Sequence, residues 1–161
     1  MSQKIPIAPR GLAVLAMVGP AFGLYVVFID PRIWRRFGLL ASLAAQTRHL
    51  RRTVARRAPD ACSLHALKGL CFAGACLPGL ERHYAFALRG LEQEIARQVW
   101  PDGGHIERCP STHARVLGDC LDLKALLLAA DQDVPTWLQG AIDRMPPLLR
   151  ALRHGDGGLA L

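Results

Sequence analysis

Six residues between positions 102 and 113 carry side chains that can move a proton, hold a metal or grip an anion: Asp102, His105, Glu107, Arg108, Cys109 and His113. A His and a Glu two residues apart on one loop suit acid–base chemistry or metal binding, because a nearby carboxylate orients an imidazole and tunes its proton affinity. Arg108 has the forked guanidinium that binds a carboxylate through two parallel hydrogen bonds. Asp119 and Asp122 follow, one helical turn apart. The plainer reading of the same residues is a polar loop that caps the next helix and faces water. His105 and His113 lie eight apart and match no standard zinc spacing, so no metal or other cofactor is expected. Cys109 has no base at a fixed spacing, and a catalytic thiol is not expected. His49, His65 and His83 fall inside helical segments and read as core or surface residues.

The elements that must position this cluster are helices. Ile33, Phe37, Leu40, Leu43, Leu50 and Val54 keep near-helical spacing and predict a helix over about 33–57. Ala58-Pro59-Asp60 stops it, with Asp60 placed to cap a second helix over 61–77 that Pro78-Gly79 ends. Leu80, Tyr84, Leu88, Leu91, Ile95 and Val99 form one stripe of a third helix over 80–99, with charges on its outer face. Trp100-Pro101-Asp102-Gly103-Gly104-His105 is a loop by its turn residues. A fourth helix is expected over 111–130 and a fifth over 135–153, with Pro146-Pro147 a local irregularity. No alternating strand pattern is present, so the fold class is all-α.

Asp102-Gly103-Gly104 and Asp156-Gly157-Gly158 each follow a long helix and lie 54 residues apart. That interval holds two helices and their connections, which is the period of a stacked helical-hairpin repeat with its loops on one rim. Glycine after a helix is also a common stop signal, so chance recurrence is the competing account.

The chain has 161 residues, enough for one domain with a real core, and 51% of them are hydrophobic, which excludes disorder as a description of the whole. Five cysteines, none in a CxxC, do not describe a disulfide framework. The net charge of +7 is uneven: residues 1–57 hold ten Lys/Arg against Asp30 alone, while residues 58–161 hold ten against twelve acidic residues. Arg48, Arg51, Arg52, Arg56 and Arg57 carry most of this density. On a helix, Arg48, Arg52 and Arg56 share a face that would suit an acidic polysaccharide or a phospholipid surface, or would simply be a solvated face. No aromatics interleave with the arginines, so a nucleic-acid partner is not expected.

Residues 11–29 are nineteen consecutive uncharged residues, and a helix of that length reaches ~28 Å, close to the thickness of a bilayer core. Residues 1–33 thus read either as a segment with a membrane anchor or as a buried apolar stretch, set apart from a helical domain over 34–161. Cytoplasmic, periplasmic and membrane-anchored locations all stay open.

Gln98-Val99-Trp100-Pro101-Asp102-Gly103-Gly104-His105-Ile106-Glu107-Arg108, the following helix with Asp119, Leu121, Asp122 and Leu123, and Leu152-Arg153-His154-Gly155-Asp156-Gly157-Gly158 together resemble bacterial heparinase II/III family proteins over roughly residues 37–161. The resemblance implies part of an incomplete α/α toroid. It also implies β-elimination on a uronic-acid polysaccharide, with His105, Glu107 and His113 as catalytic candidates and Arg108, Arg48 and Arg52 as substrate-binding candidates. Thr112 stands where that family places a Tyr acid, and the β-sandwich domain is missing. A chain inactive by itself is therefore implied, with an uncovered helix face left for that domain or another partner. The alternative function is a non-catalytic helical module that binds an anionic glycan or membrane surface through Arg48–Arg57.

Overall fold

A computed structural model describes residues 38–54 and 60–159. The described residues form five α-helices: α1 (Leu39–Val54), α2 (Ala61–Cys76), α3 (Arg82–Gln98), α4 (Pro110–Ala129) and α5 (Thr136–Ala151). No strand occurs among them, only isolated bridges between Val99 and His105 and between Arg153 and Leu159. The all-helical expectation holds among the described residues; α2 to α5 lie within two residues of their expected bounds, and α1 lies inside the expected 33–57, of which residues 33–37 and 55–57 are outside the described residues.

Local chemistry sets the helix ends. Asp60, in an extended conformation, accepts hydrogen bonds at Oδ1 from the Ser63 amide (2.7 Å) and hydroxyl (2.8 Å), which satisfies a donor that α2 leaves open. Past α2, Gly79 takes a positive φ of 81°, and its amide donates to Glu81 Oε1 at 2.9 Å. That turn delays the start of α3 to Arg82, two residues later than the apolar stripe suggests. Pro110 opens α4, where its missing N–H costs no helical hydrogen bond. Pro146 and Pro147 lie inside α5, which continues through them to Ala151.

Two antiparallel hairpins, α2–α3 and α4–α5, stack with α2 against α4 and α3 against α5, while α1 covers another side of α2. A Cβ on Gly74 would run into the Tyr84 amide nitrogen and lie 2.9 Å from the Tyr84 Cα, so only glycine permits so close a crossing of α2 and α3. The core is continuous across both hairpins and is built mainly of leucine: Leu64, Leu67, Leu70, Leu91, Leu123, Leu127 and Leu138 are all buried.

The 54-residue period is structural. Helices α3 and α5 start 54 residues apart, and the inward positions Tyr84, Ala87, Leu91 and Ile95 recur as Leu138, Ala141, Met145 and Leu149. The finer expectation, curvature of this stack into a toroid, goes further than two hairpins can show. The Gly11–Ile29 stretch, Arg56, Arg57 and Ala160-Leu161 lie outside the described residues. Among the described residues, no helix is long and apolar enough to cross a membrane.

Candidate functional site

The Asp-Gly-Gly turn between α3 and α4 is built by its own backbone. The Trp100 amide donates to the Gly104 carbonyl at 2.9 Å, the Gly103 amide donates to the Trp100 carbonyl at 2.9 Å, and the Gly104 amide donates to Asp102 Oδ1 at 2.9 Å. Gly103 has φ 87°, and a Cβ there would collide with the Arg144 carbonyl of α5. The turn therefore sits directly under α5, and Gly103, Gly104 and His105 are buried.

His105 is 2% exposed, and both its ring nitrogens are engaged. Nε2 donates to Gln98 Oε1 at 3.0 Å, and Nδ1 accepts from the Glu107 amide at 3.2 Å. This fixes a neutral ring with its proton on Nε2. Burial lowers its pKa from the usual value; Glu107 works the other way, while His113 and Arg115 add to the lowering. Gln98, itself fully buried, donates from Nε2 to the Asp60 carbonyl (3.0 Å) and to Glu94 Oε2 (2.7 Å). The chain of bonds from α2 through Gln98 to His105 holds the loop on the end of the first hairpin.

Glu107 points away from this ring. Its Oε1 accepts from the Ala61 amide at 2.9 Å, so it satisfies an open donor at the start of α2 across 46 residues of sequence. His113 is buried on α4, and its Nε2 donates to the Met145 carbonyl of α5 at 3.0 Å. Its Nδ1 is buried with no partner among the described residues. In the neutral ring that atom is a bare acceptor.

His105, Arg108, Cys109 and His113 line one cavity of about 370 Å³ together with Trp100, Asp102 and residues of the α5 end, Leu148 and Leu152. The Arg108 guanidinium lies 4.9 Å above the Trp100 ring, and Arg108 has a positive φ of 50°. The Cys109 Sγ lies 3.1 Å from Ser111 Oγ at the start of α4. The Ser111 hydroxyl, then the Thr112 amide and hydroxyl, bring its pKa down to about 7. By contrast, burial raises Cys71 and Cys120 to about 12.

The structure thus brings His105, Arg108, Cys109 and His113 to one cavity and turns Glu107 to the cap of α2. Arg48 and Arg52 stand exposed on α1, away from this loop, and Arg51 between them holds its guanidinium 4.7 Å over the Phe86 ring. Among the described residues no three His, Cys, Asp or Glu side chains gather in a way that could hold a metal.

Sequence reasoning gave no role to Gln98, Trp100 or Lys68, and it read His65 as a core or surface residue. Lys68 Nζ bridges Asp119 (2.6 Å) and Asp122 (2.8 Å), and His65 Nδ1 lies 3.1 Å from Asp119. Burial opposes the Lys68 charge, but the hydrogen bonds it donates to the two carboxylates, together with their negative charges, outweigh it and leave its pKa raised. A signal for these pairs was present: His65 to Asp119 and Lys68 to Asp122 are each separated by 54 residues, the period of the turn, and stacked repeats set equivalent positions side by side.

No family model and no solved structure matches the chain. Among curated proteins, it is 35% identical over 124 residues to FtsZ-localized protein C of Caulobacter vibrioides (strain NA1000 / CB15N), a match over 76% of this chain and 21% of that protein. The chain therefore spans about a fifth of the length of the relative it matches. These findings overturn the resemblance to heparinase II/III proteins and, with it, the polysaccharide-lyase and glycosaminoglycan reading. The residues that carried that resemblance are the two Asp-Gly-Gly turns and their flanking helices, and the repeat explains them as turn chemistry required for folding. A shared fold element does not carry a reaction with it. The relative lends no support to the alternative of glycan or membrane binding through Arg48–Arg57 either.

Proposed function

We propose that this chain serves in bacterial cell division, as a helical binding module recruited to sites marked by FtsZ. The observation that carries the reading is the 35% identity over 124 residues to a protein named for its localization with FtsZ. The site geometry is in keeping with a binding role. His105 has both nitrogens held in neutral hydrogen bonds, and Glu107 caps α2, so neither is placed to exchange a proton with a substrate. The rim around the cavity instead offers a planar cation stacked on an indole, a combination suited to contact with a protein partner. In this reading the two hairpins belong to a longer stack of the same kind, and its curvature into a toroid is part of the proposal.

The test is the position of a fluorescent fusion of the full chain in dividing cells. The expected result is a band at the division site that disperses when FtsZ is depleted. A signal spread through the cell with FtsZ present, or a band that persists without it, overturns the reading.

A further inference from the structure

Helix α4 buries one arc against α2 and α5, and no other described helix covers the opposite arc. Ser111, Ala114, Gly118, Leu121, Ala125 and Leu128 lie on that outer arc at successive spacings of three, four, three, four and three. This is the spacing of a two-helix seam, in which a knob from one helix enters a hole on the other. Leu121 is 48% exposed and Leu128 56% exposed; apart from the loop residue Ile106, no other large apolar side chain among the described residues is as open. A Cβ on Gly118 would meet nothing within 4 Å, so the face is open at its middle as well. An exposed apolar row of this kind on one helix marks an interface.

We propose that the outer face of α4 docks on the same face of a second copy of this chain, with the two helices antiparallel about a twofold axis at Leu121. The seam is self-complementary in that direction. Leu128 falls opposite the second copy's Ala114, Ala125 falls within one residue of its Gly118, and the small residues make room for the leucines. The ends are complementary in charge. Exposed Arg108 and Arg115 lie at the start of α4, and exposed Asp131 and Asp133 follow its end. An antiparallel pair sets the arginines of each copy beside the aspartates of the other and opposes the two helix dipoles favourably. A parallel pair would set like charges together. A twofold contact of this type closes on itself and ends at a dimer. The inference stands apart from the division reading, since it rests on α4 and the charged residues that flank it.

The experiment is the mass of the full chain in solution by light scattering and sedimentation, with Leu121→Glu as the variant. The native chain is expected at twice its chain mass, and Leu121→Glu at one chain mass with unchanged helical circular dichroism. A second measurement fixes the geometry: Leu121→Cys, with Cys62 and Cys109 replaced by Ser, is expected to form a disulfide-linked dimer on mild oxidation, while Glu92→Cys on the outer face of α3 is not. A native chain that runs at a single chain mass overturns the proposal. So does an assembly that survives Leu121→Glu, or cross-linking as efficient at position 92 as at position 121.

Discussion

The two Asp-Gly-Gly turns share one backbone and differ in what lies over them. In both, the middle glycine has φ 87°, the last glycine amide donates to the Asp Oδ1 (2.9 and 2.8 Å), and an amide two residues before the Asp closes the turn on the last glycine carbonyl (2.9 and 2.8 Å). The first turn is buried under α5, where the Arg144 carbonyl occupies the space a Cβ at Gly103 would need. The second is exposed, and a Cβ at Gly157 would meet only the flexible Arg153 guanidinium at 3.3 Å. Sequence chemistry makes the turn; the neighbouring hairpin makes it an interior. Around the first copy, among the described residues, a buried His, a buried Gln and a cavity collect.

The sharpest way to break this comparison is to place alanine at both middle glycines. Each substitution forces an L-residue into a positive φ, which costs roughly 1–2 kcal/mol, and only Gly103→Ala adds a backbone collision worth roughly 1–3 kcal/mol more. Chemical unfolding is expected to show Gly103→Ala destabilised by roughly 2–5 kcal/mol and Gly157→Ala by about 1–2 kcal/mol. Equal losses would mean that α5 does not roof the first turn as described.

Next in size is the imidazole inside the first turn. Replacing His105 by Ala leaves the buried Gln98 Oε1 and the Glu107 amide without their partners, for a loss of about 2–3 kcal/mol, whereas His154→Ala at the second turn should be nearly neutral. The pH dependence gives an independent check. A folded-state pKa held below the usual 6.5 means that the unfolded chain binds the proton more readily, so stability is whole above that value and falls as pH drops through the folded-state pKa. His83, buried on α3 with its pKa lowered by burial and then by Arg51, Arg82 and Arg48, acts in the same direction. Unfolding midpoints are expected to decline from neutral pH toward pH 5, less steeply in His105→Ala. A flat profile over that range would contradict the buried neutral rings.

The smallest effect is on stability and the most selective on chemistry. Cys109, at about 7, is expected to be alkylated first at neutral pH, with little change in unfolding midpoint, while Cys71 and Cys120, buried and at about 12, stay unmodified in the folded chain. Mass mapping after a short iodoacetamide pulse reads this directly. Early labelling of Cys71 would show that the core opens more easily than its packing implies.

Much of the fold was legible in advance because its determinants are local. Helix α2 was expected over 61–77 and runs Ala61–Cys76; α4 was expected over 111–130 and runs Pro110–Ala129. Apolar residues three and four apart, an Asp before the first turn and a Pro-Gly after the last are written along the chain and act within a few residues. The 54-residue spacing of the turns was legible for the same reason. The roles of the candidate residues were not. Glu107 reads as a proton carrier beside His105, yet it caps a helix that starts 46 residues earlier. Asp119 and Asp122 read as a carboxylate pair on one helix, yet Lys68 joins both from another.

The sequence by itself determined an all-helical class, the places of the described helices to within a few residues, and a turn used twice at a fixed interval, since each depends on propensity and spacing within a few residues. Only the tertiary structure decided which turn is buried, which polar side chains are taken up in bonds between helices, and which arc of α4 is left open. Those outcomes depend on which hairpin stacks against which, and that is set by packing between residues about fifty positions apart.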